Sequence, residues 1–261
     1  MTSNQITPLI LTWNEEDNIG RCLQKLKWAK RIVVIDSYST DSTLDLLKGF
    51  SNVEVYKRKF DSFSEQCNYG LGKITSEWIL SLDADYVLSE KLVEEIEGLD
   101  LNSSDGFFAS FKYCIKGAPL RSTLLPARQV LFRKKHGKYI QDGHAHKLVN
   151  SGTVNSLKHF IYHDDRKPFS RWWNAQIKYS HQEANKLVNS AFGELNAQDK
   201  LRSFLLVAPI AVFFYCLFWK GLILDGWNGI VYASQRFMAE FLLSVFLLKR
   251  YLSSPSKISS E

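Results

Sequence analysis

The sequence predicts an α/β fold built on an open, mostly parallel sheet, with a mixed extension after it and an apolar helical tail. Three observations carry that expectation. Short apolar runs alternate with helical patterns through the first hundred residues. Those runs are too continuously apolar for one face to meet water, as befits strands covered on both sides. From Ser203 onward the chain holds two long apolar segments unlike anything before them.

Residues 6–12 make the first strand. Asn14 is placed to cap a helix whose first turn is acidic (Glu15, Glu16, Asp17), and Ile19, Cys22, Leu23 and Leu26 follow at helical spacing. Residues 31–36 form the second strand, and Leu44, Leu46 and Leu47 mark another helix. A strand over 53–56, a helix over 63–71 and a strand over 78–82 continue the series. Such βαβ units are right-handed, and ligands of open α/β sheets sit at the carboxyl ends of the strands. Residues 12–15, 36–41 and 83–85 are therefore expected on one rim. Ser89 caps a helix over 91–99, and residues 107–114, 129–132, 148–149 and 160–162 read as shorter strands of a mixed or antiparallel extension. Beyond Pro168 the pattern is helical: residues 169–195, then apolar segments over 203–219 and 230–248 separated by a glycine-rich turn region. Residues 1–100 and 101–167 are expected as two halves of one domain, and 168–261 as a tail.

A chain of 261 residues can bury one good-sized core or a core with an appendage. Its net charge of +6 is unevenly spread, with 14 Lys and Arg against 3 Asp and Glu between Lys112 and His181. That segment suits phosphates, anionic lipid headgroups or nucleic acid, or is a solvated basic face. Cys22, Cys67, Cys114 and Cys216 are too scattered for a metal or redox pair, so reduced thiols are expected. The polar first residues run directly into a strand, which predicts no cleavable leader.

The stretch Ser81-Leu82-Asp83-Ala84-Asp85 ends an apolar run on two carboxylates one residue apart. In an extended chain residues i and i+2 point the same way, so both carboxylates are expected on one side, suited to a hard divalent cation.

With Thr12-Trp13-Asn14-Glu15, Asp36-Ser37-Tyr38-Ser39-Thr40-Asp41-Ser42-Thr43, Gln66-Cys67-Asn68 and Asp83-Ala84-Asp85 in order and spacing, the first half resembles a family 2 nucleotide-sugar glycosyltransferase of the GT-A type, whose sheet is Rossmann-like. The resemblance implies that Thr12, Trp13, Asn14, Glu15 and Asp36 meet the nucleotide. It also implies that Ser39, Asp41, Gln66 and Asn68 belong to the donor pocket, and that Asp83 and Asp85 hold ribose and metal-bound diphosphate. Mg²⁺ or Mn²⁺ suits such oxygen ligands. Tyr86 stands where Glu is common, and Cys67 where Arg or Lys is common.

Tyr139-Ile140-Gln141-Asp142-Gly143-His144 and Tyr162-His163-Asp164-Asp165-Arg166-Lys167-Pro168 resemble two motifs that recur in a subgroup of the family. An inverting transfer needs a carboxylate to take the acceptor hydroxyl's proton, and Asp142 is the only acidic residue between Asp105 and Asp164. His163 is expected as a third metal ligand or a diphosphate hydrogen-bond donor, and His144 and His146 on the acceptor side. Arg166 and Lys167 would neutralise diphosphate or an acidic acceptor. The 17-residue uncharged run over 203–219 is short of the ~20 residues that span a bilayer, and the next carries Arg236 and Glu240. Helices lying in one leaflet are the first expectation, ahead of a two-helix hairpin, an oligomer interface or a buried helix pair. The tail resembles that of bacterial envelope-glycan enzymes working on lipid carriers.

Together these predict a metal-dependent inverting transferase that moves a sugar from a nucleotide sugar, UDP-sugars favoured, in β-linkage onto a lipid-linked saccharide or lipopolysaccharide-type acceptor. Its expected place is the cytoplasmic face of the bacterial inner membrane, bound to the membrane surface. Transfer to polyprenyl phosphate is the neighbouring alternative. A basic nucleic-acid-binding protein is the alternative of another class; the acidic rim and the lack of a recognisable RNA or DNA module speak against a nucleic-acid partner.

Overall fold

A computed structural model describes residues 5–142, 145–191, 193 and 195–253, with Asp142, Ala145 and His146 described in backbone only. The chain divides into two compact units, Met1–Pro119 with Leu125–Lys167, and Leu120–Leu124 with Pro168–Glu261.

In the first unit, β1 (Ile6–Thr12), β2 (Ile32–Asp36), β3 (Val53–Lys57) and β4 (Trp78–Asp83) pair in parallel in the order β3-β2-β1-β4. Nearly all of β1 and β2 is buried, which is why these strands read as unbroken apolar runs. Crossovers α1 (Ile19–Gln24), α2 (Thr43–Lys48) and α3 (Phe63–Lys73) cover the faces. The helix α3 packs very close to the sheet: a Cβ on Gly70 would lie 2.5 Å from Leu9 Cδ1. Ser62 and Ser89 cap α3 and α4 (Glu90–Glu97) by accepting the amides of Glu65 and Leu92. Asn14 caps no helix; it sits in the left-handed region at φ 53°, and α1 begins only after Asn18. Residues 15–17 lie ahead of the helix, where the amides of Glu15 and Glu16 donate to Thr43 Oγ1 and Asp41 of the neighbouring loop.

The extension is mixed. β5 (Tyr86–Leu88), β6 (Gly106–Ile115), β8 (Arg128–Arg133) and β11 (Val154–His163) continue the sheet in the order β4-β8-β6-β11-β5, and β7 (Ala118–Pro119) pairs with β6. β6 and β11 are parallel, whereas β8 runs antiparallel to both its neighbours. The strand expected at 148–149 belongs to a separate antiparallel hairpin of β9 (Gly137–Asp142) and β10 (Ala145–Asn150).

In the second unit, α5 (Phe169–Asn189) ends short of the expected residue 195. After α6 (Ala197–Arg202) comes α7 (Val207–Phe214), extended by a π-helical turn over Tyr215–Trp219. Pro209 does not interrupt α7: it lies in the first turn, where amides have no intrahelical acceptor. α8 (Gly226–Ser253) begins inside the expected turn region and outlasts the expected 230–248. Its core with α5 is Ala184, Leu187, Leu195, Leu243 and Leu247. Arg202 clamps Glu240 through three hydrogen bonds, so the acid in this apolar helix is paired. All four cysteines are free and buried.

Candidate active site

The rim begins with a carboxylate at the end of β2. Asp36 is fully buried; its oxygens accept from Thr12 Oγ1 (3.0 Å), Ser39 Oγ (2.5 Å) and the Ser39 amide (2.9 Å). The loops after β1 and β2 are then zipped together. The amides of Asn14 and Glu15 donate to Ser39 Oγ and Thr43 Oγ1 at 2.8 and 2.7 Å, and Asn14 Oδ1 accepts the Thr40 amide at 2.7 Å. Asp41 joins by accepting the amides of Glu16 and Thr43. Asn14 tolerates the left-handed region readily, but Tyr38 at φ 61° is strained, which this loop network sustains. Trp13 and Tyr38 leave the zipped loops exposed to solvent.

The two carboxylates after β4 are not carried on extended chain. β4 ends at Asp83 and Ala84-Asp85 is a turn, so the i, i+2 rule for strands does not apply. Asp83 is half-exposed and faces Arg128, 4.0 Å away on β8. Asp85 is buried and meets His163 Nε2 at 2.9 Å. Burial would raise Asp85, but the His163 imidazole beside it outweighs that and holds the carboxyl at about 2. Burial would likewise lower His163, and the Asp85 carboxylate instead raises it above its ordinary value. Tyr86 is buried between the rings of Phe111 and His163, its phenol pushed well up by desolvation.

Residues 163–167 are fastened to the start of α1, a link that sequence reasoning missed. Asn18 is fully buried and satisfied: its amide donates to Glu15 Oε2 and Asp165 Oδ1, and its oxygen accepts from Arg21 and the Arg166 amide. Asp164 gathers Arg21, Arg166 and the amide of Gly117. Gly117 sits at φ +83°, and a Cβ there would press on Arg166. Arg166, expected at the diphosphate, is thus tied to Asp164. Lys167 stands at the rim, 2.7 Å from Glu15 Oε1. Burial, opposed by Lys167 and reinforced by Asp85, pushes Glu15 up to about 7. No local pattern could have shown these contacts, since their partners lie more than 140 residues apart.

Gln66 and Asn68 face inward rather than outward. Gln66 donates to Ser37 Oγ and the Arg58 carbonyl. Asn68 grips the backbone of Tyr139, donating to its carbonyl at 2.9 Å and accepting its amide at 3.0 Å. These residues buttress the rim and hold β9, which ends on Asp142. Asp142 and His146 are placed on facing strands of the hairpin by backbone alone, and His144 lies outside the described residues.

The residues present fit a divalent cation held jointly by protein and phosphate. Among the described residues no group of three or more His, Cys, Asp and Glu is positioned as a closed metal site. The Asp83 and Asp85 carboxylates are oxygen donors of the kind Mg²⁺ or Mn²⁺ takes, and with His163 beside Asp85 they would leave positions for substrate phosphates. His163 Nδ1 is buried without a hydrogen-bond partner, leaving Nε2 as the engaged nitrogen.

A parallel sheet ordered 3-2-1-4, its rim carrying buttressed carboxylates, and a mixed extension define the GT-A class of glycosyltransferase folds. The chain belongs to glycosyl transferase family 2, whose model matches residues 9–164. The SPbeta prophage-derived glycosyltransferase SunS of Bacillus subtilis (strain 168) is 39% identical over 92 residues, 33% of this chain and 21% of SunS. The match thus spans about a fifth of that relative. The lipopolysaccharide core biosynthesis glycosyltransferase LpsC of Rhizobium meliloti (strain 1021) is 24% identical over 258 residues, 94% of this chain and 93% of LpsC. Two solved structures share the fold. The mannosyltransferase PcManGT of Pyrobaculum calidifontis, in complex with GDP-Man and Mn²⁺, superposes with a TM-score of 0.57 at 13% identity, covering 95% of this chain and 88% of PcManGT. Residues 1–349 of S. aureus TarS, in complex with UDP-GlcNAc, give 0.50 at 14% identity, covering 96% of this chain and 92% of that fragment.

Proposed function

We propose that this chain is an inverting, metal-dependent glycosyltransferase that moves a hexosyl group from a nucleotide sugar, UDP-sugars favoured, to a lipid-linked saccharide or lipopolysaccharide-type acceptor in β-linkage. The observation that carries the reading is the Asp85–His163 pair at the carboxyl end of β4, on the rim shared with the buttressed Asp36. Thr12, Asp36 and Ser39 shape the nucleotide end, and the exposed Trp13 face is available to a base. The relative named for lipopolysaccharide core biosynthesis supports the acceptor class, and the fold neighbours holding UDP-GlcNAc or GDP-Man with Mn²⁺ support the donor and metal. Its place is the cytoplasmic face of the inner membrane, as a peripheral or monotopic protein.

Asp85 and His163, with Asp83, would hold the divalent cation, which when bound neutralises charge developing on the leaving diphosphate. Asp142 takes the proton of the acceptor hydroxyl as its oxygen bonds to the anomeric carbon. The bond from that carbon to the diphosphate oxygen breaks on the opposite side, and the nucleoside diphosphate leaves. Lys167, beside Glu15, adds positive charge on the rim. The test is Asp142→Asn. Transfer is expected to be nearly abolished while nucleotide binding is kept. Comparable turnover by the variant would remove Asp142 as base and favour polyprenyl phosphate, an acceptor already anionic.

A further inference from the structure

The second unit presents more exposed apolar surface than its fold requires, and that surface is patterned. On α7 and its π-helical extension, Val207, Ile210, Phe214 and Phe218 are all more than half exposed at helical spacing. Trp219 at the end of that extension is 81% exposed, Leu224 in the following turn 69%, and Trp227 in the first turn of α8 75%. On the distal half of α8, Phe241, Val245, Leu248 and Leu252 form a second exposed stripe. Large exposed apolar patches mark a docking surface, and tryptophans beside lysine are the composition of a membrane interface.

Charge selects among possible occupants. Between residues 203 and 253 the acids are Asp225 and Glu240, and each is neutralised by an arginine, Arg121 and Arg202. The cations Lys220, Arg236, Lys249 and Arg250 are left in excess. Lys249 and Arg250 line a cavity of about 210 Å³ with His181, Phe246 and Ser253, on the face of α8 next to the apolar stripe. Among the described residues, Leu222–Ser253 is long and apolar enough to cross a bilayer. Its inner face, however, is packed on α5, which presents exposed Lys178, His181 and Gln182. A helix with one polar helix bound along it and a half-buried Arg202–Glu240 pair at its middle suits a position in the plane of one leaflet.

We propose that α7 with its extension to Trp219, the turn at Leu224 with Trp227 at the start of α8, and the distal stripe of α8 form one docking surface for an anionic lipid leaflet. The Lys249–Arg250–His181 cavity receives a lipid phosphate. The inference deepens the membrane-acceptor reading above and rests on it for the origin of the leaflet, but its test is independent. The full chain, without detergent, is sedimented with vesicles of phosphatidylcholine alone or of phosphatidylcholine with phosphatidylglycerol. Binding is expected to favour the anionic vesicles. Lys249→Glu with Arg250→Glu should weaken it by roughly tenfold or more, and Leu224→Ser with Trp227→Ser should weaken it on both vesicle types. These side chains are exposed, so both variants should melt like the parent and keep its rate of nucleotide-sugar hydrolysis in solution; loss of that rate in the parent would speak against the enzyme reading instead. Equal binding to both vesicles, or variants that bind like the parent, overturns the proposal. So does resistance to carbonate extraction, the mark of a spanning helix, or a dimer in sedimentation velocity that the Trp227→Ser variant abolishes.

Discussion

Replacing Asn68 by Ala isolates the link between α3 and the strand that ends on Asp142. Among the described residues the β9–β10 hairpin pairs only with itself, outside the main sheet, so its position depends on a few attachments. Asn68 supplies two of them, at 2.9 and 3.0 Å, both to the backbone of Tyr139. Ser64 Oγ supplies another, to Gln141, and the Tyr139 ring packs on Phe132. Two neutral hydrogen bonds are worth about 1 kcal/mol each, and unmet backbone groups add to the loss, giving ~2–3 kcal/mol. Because the hairpin can open without unfolding the sheet, the loss should fall on local opening, raising that equilibrium at least ~30-fold. Native-state hydrogen exchange resolved at residues 137–142 is the assay, with transfer rate and nucleotide affinity measured alongside. Faster exchange there, a lower transfer rate and unchanged nucleotide affinity are expected. Unchanged protection, or weakened nucleotide binding with normal transfer, would refute the positioning role and return Asn68 to the donor pocket.

Gly70→Ala would force a methyl to 2.5 Å from Leu9 Cδ1 and 3.2 Å from Ile35 Cγ1, so ~1–3 kcal/mol of stability should be lost in urea denaturation, with normal stability excluding the close helix–sheet approach. Glu15 is a carboxylate whose folded pKa is raised, from 4.5 to about 7, so the stability it contributes is present below pH 4.5 and is lost as pH rises through 7. Glu15→Gln should flatten the fall in melting temperature across that window, and an unchanged profile would contradict the burial argument. Thr12→Val removes one of the donors to the buried Asp36 and should cost ~1–3 kcal/mol by denaturation, together with weaker nucleotide binding; an inert substitution would mean that the cradle is not needed.

The sequence made the parallel half of the sheet readable because burial on both faces leaves an unmistakable signature: Val33, Val34 and Ile35 have no polar neighbour until Asp36. The rim followed from the rule that such strands end at the site, and Thr12, Asp36 and Ser39 are indeed in hydrogen-bond contact. What stayed hidden was long-range or irregular. The turn at Ala84-Asp85 breaks strand periodicity, so Asp83 and Asp85 acquire different partners, Arg128 and His163. Of the β9–β10 hairpin only Leu148-Val149 stood out as apolar, because β9 mixes a buried Tyr139 with an exposed Ile140 among polar residues. Asn18 and Arg21 carry no motif, yet they fix residues 164–166 through contacts that only folding creates. Asn14 looked like a cap because Asn is a good one, but its carbonyl is taken by the Thr40 amide of the adjacent loop.

Asp85 and His163 are proposed to hold a divalent cation against the diphosphate of a nucleotide sugar. Isothermal titration of UDP with excess Mn²⁺ and with EDTA, in the parent and in Asp85→Ala, tests it most directly. Binding is expected to require Mn²⁺ in the parent and to be lost or greatly weakened in the variant, with both proteins folded by circular dichroism. Equal UDP affinity in EDTA and in Mn²⁺, undiminished by Asp85→Ala, would contradict it.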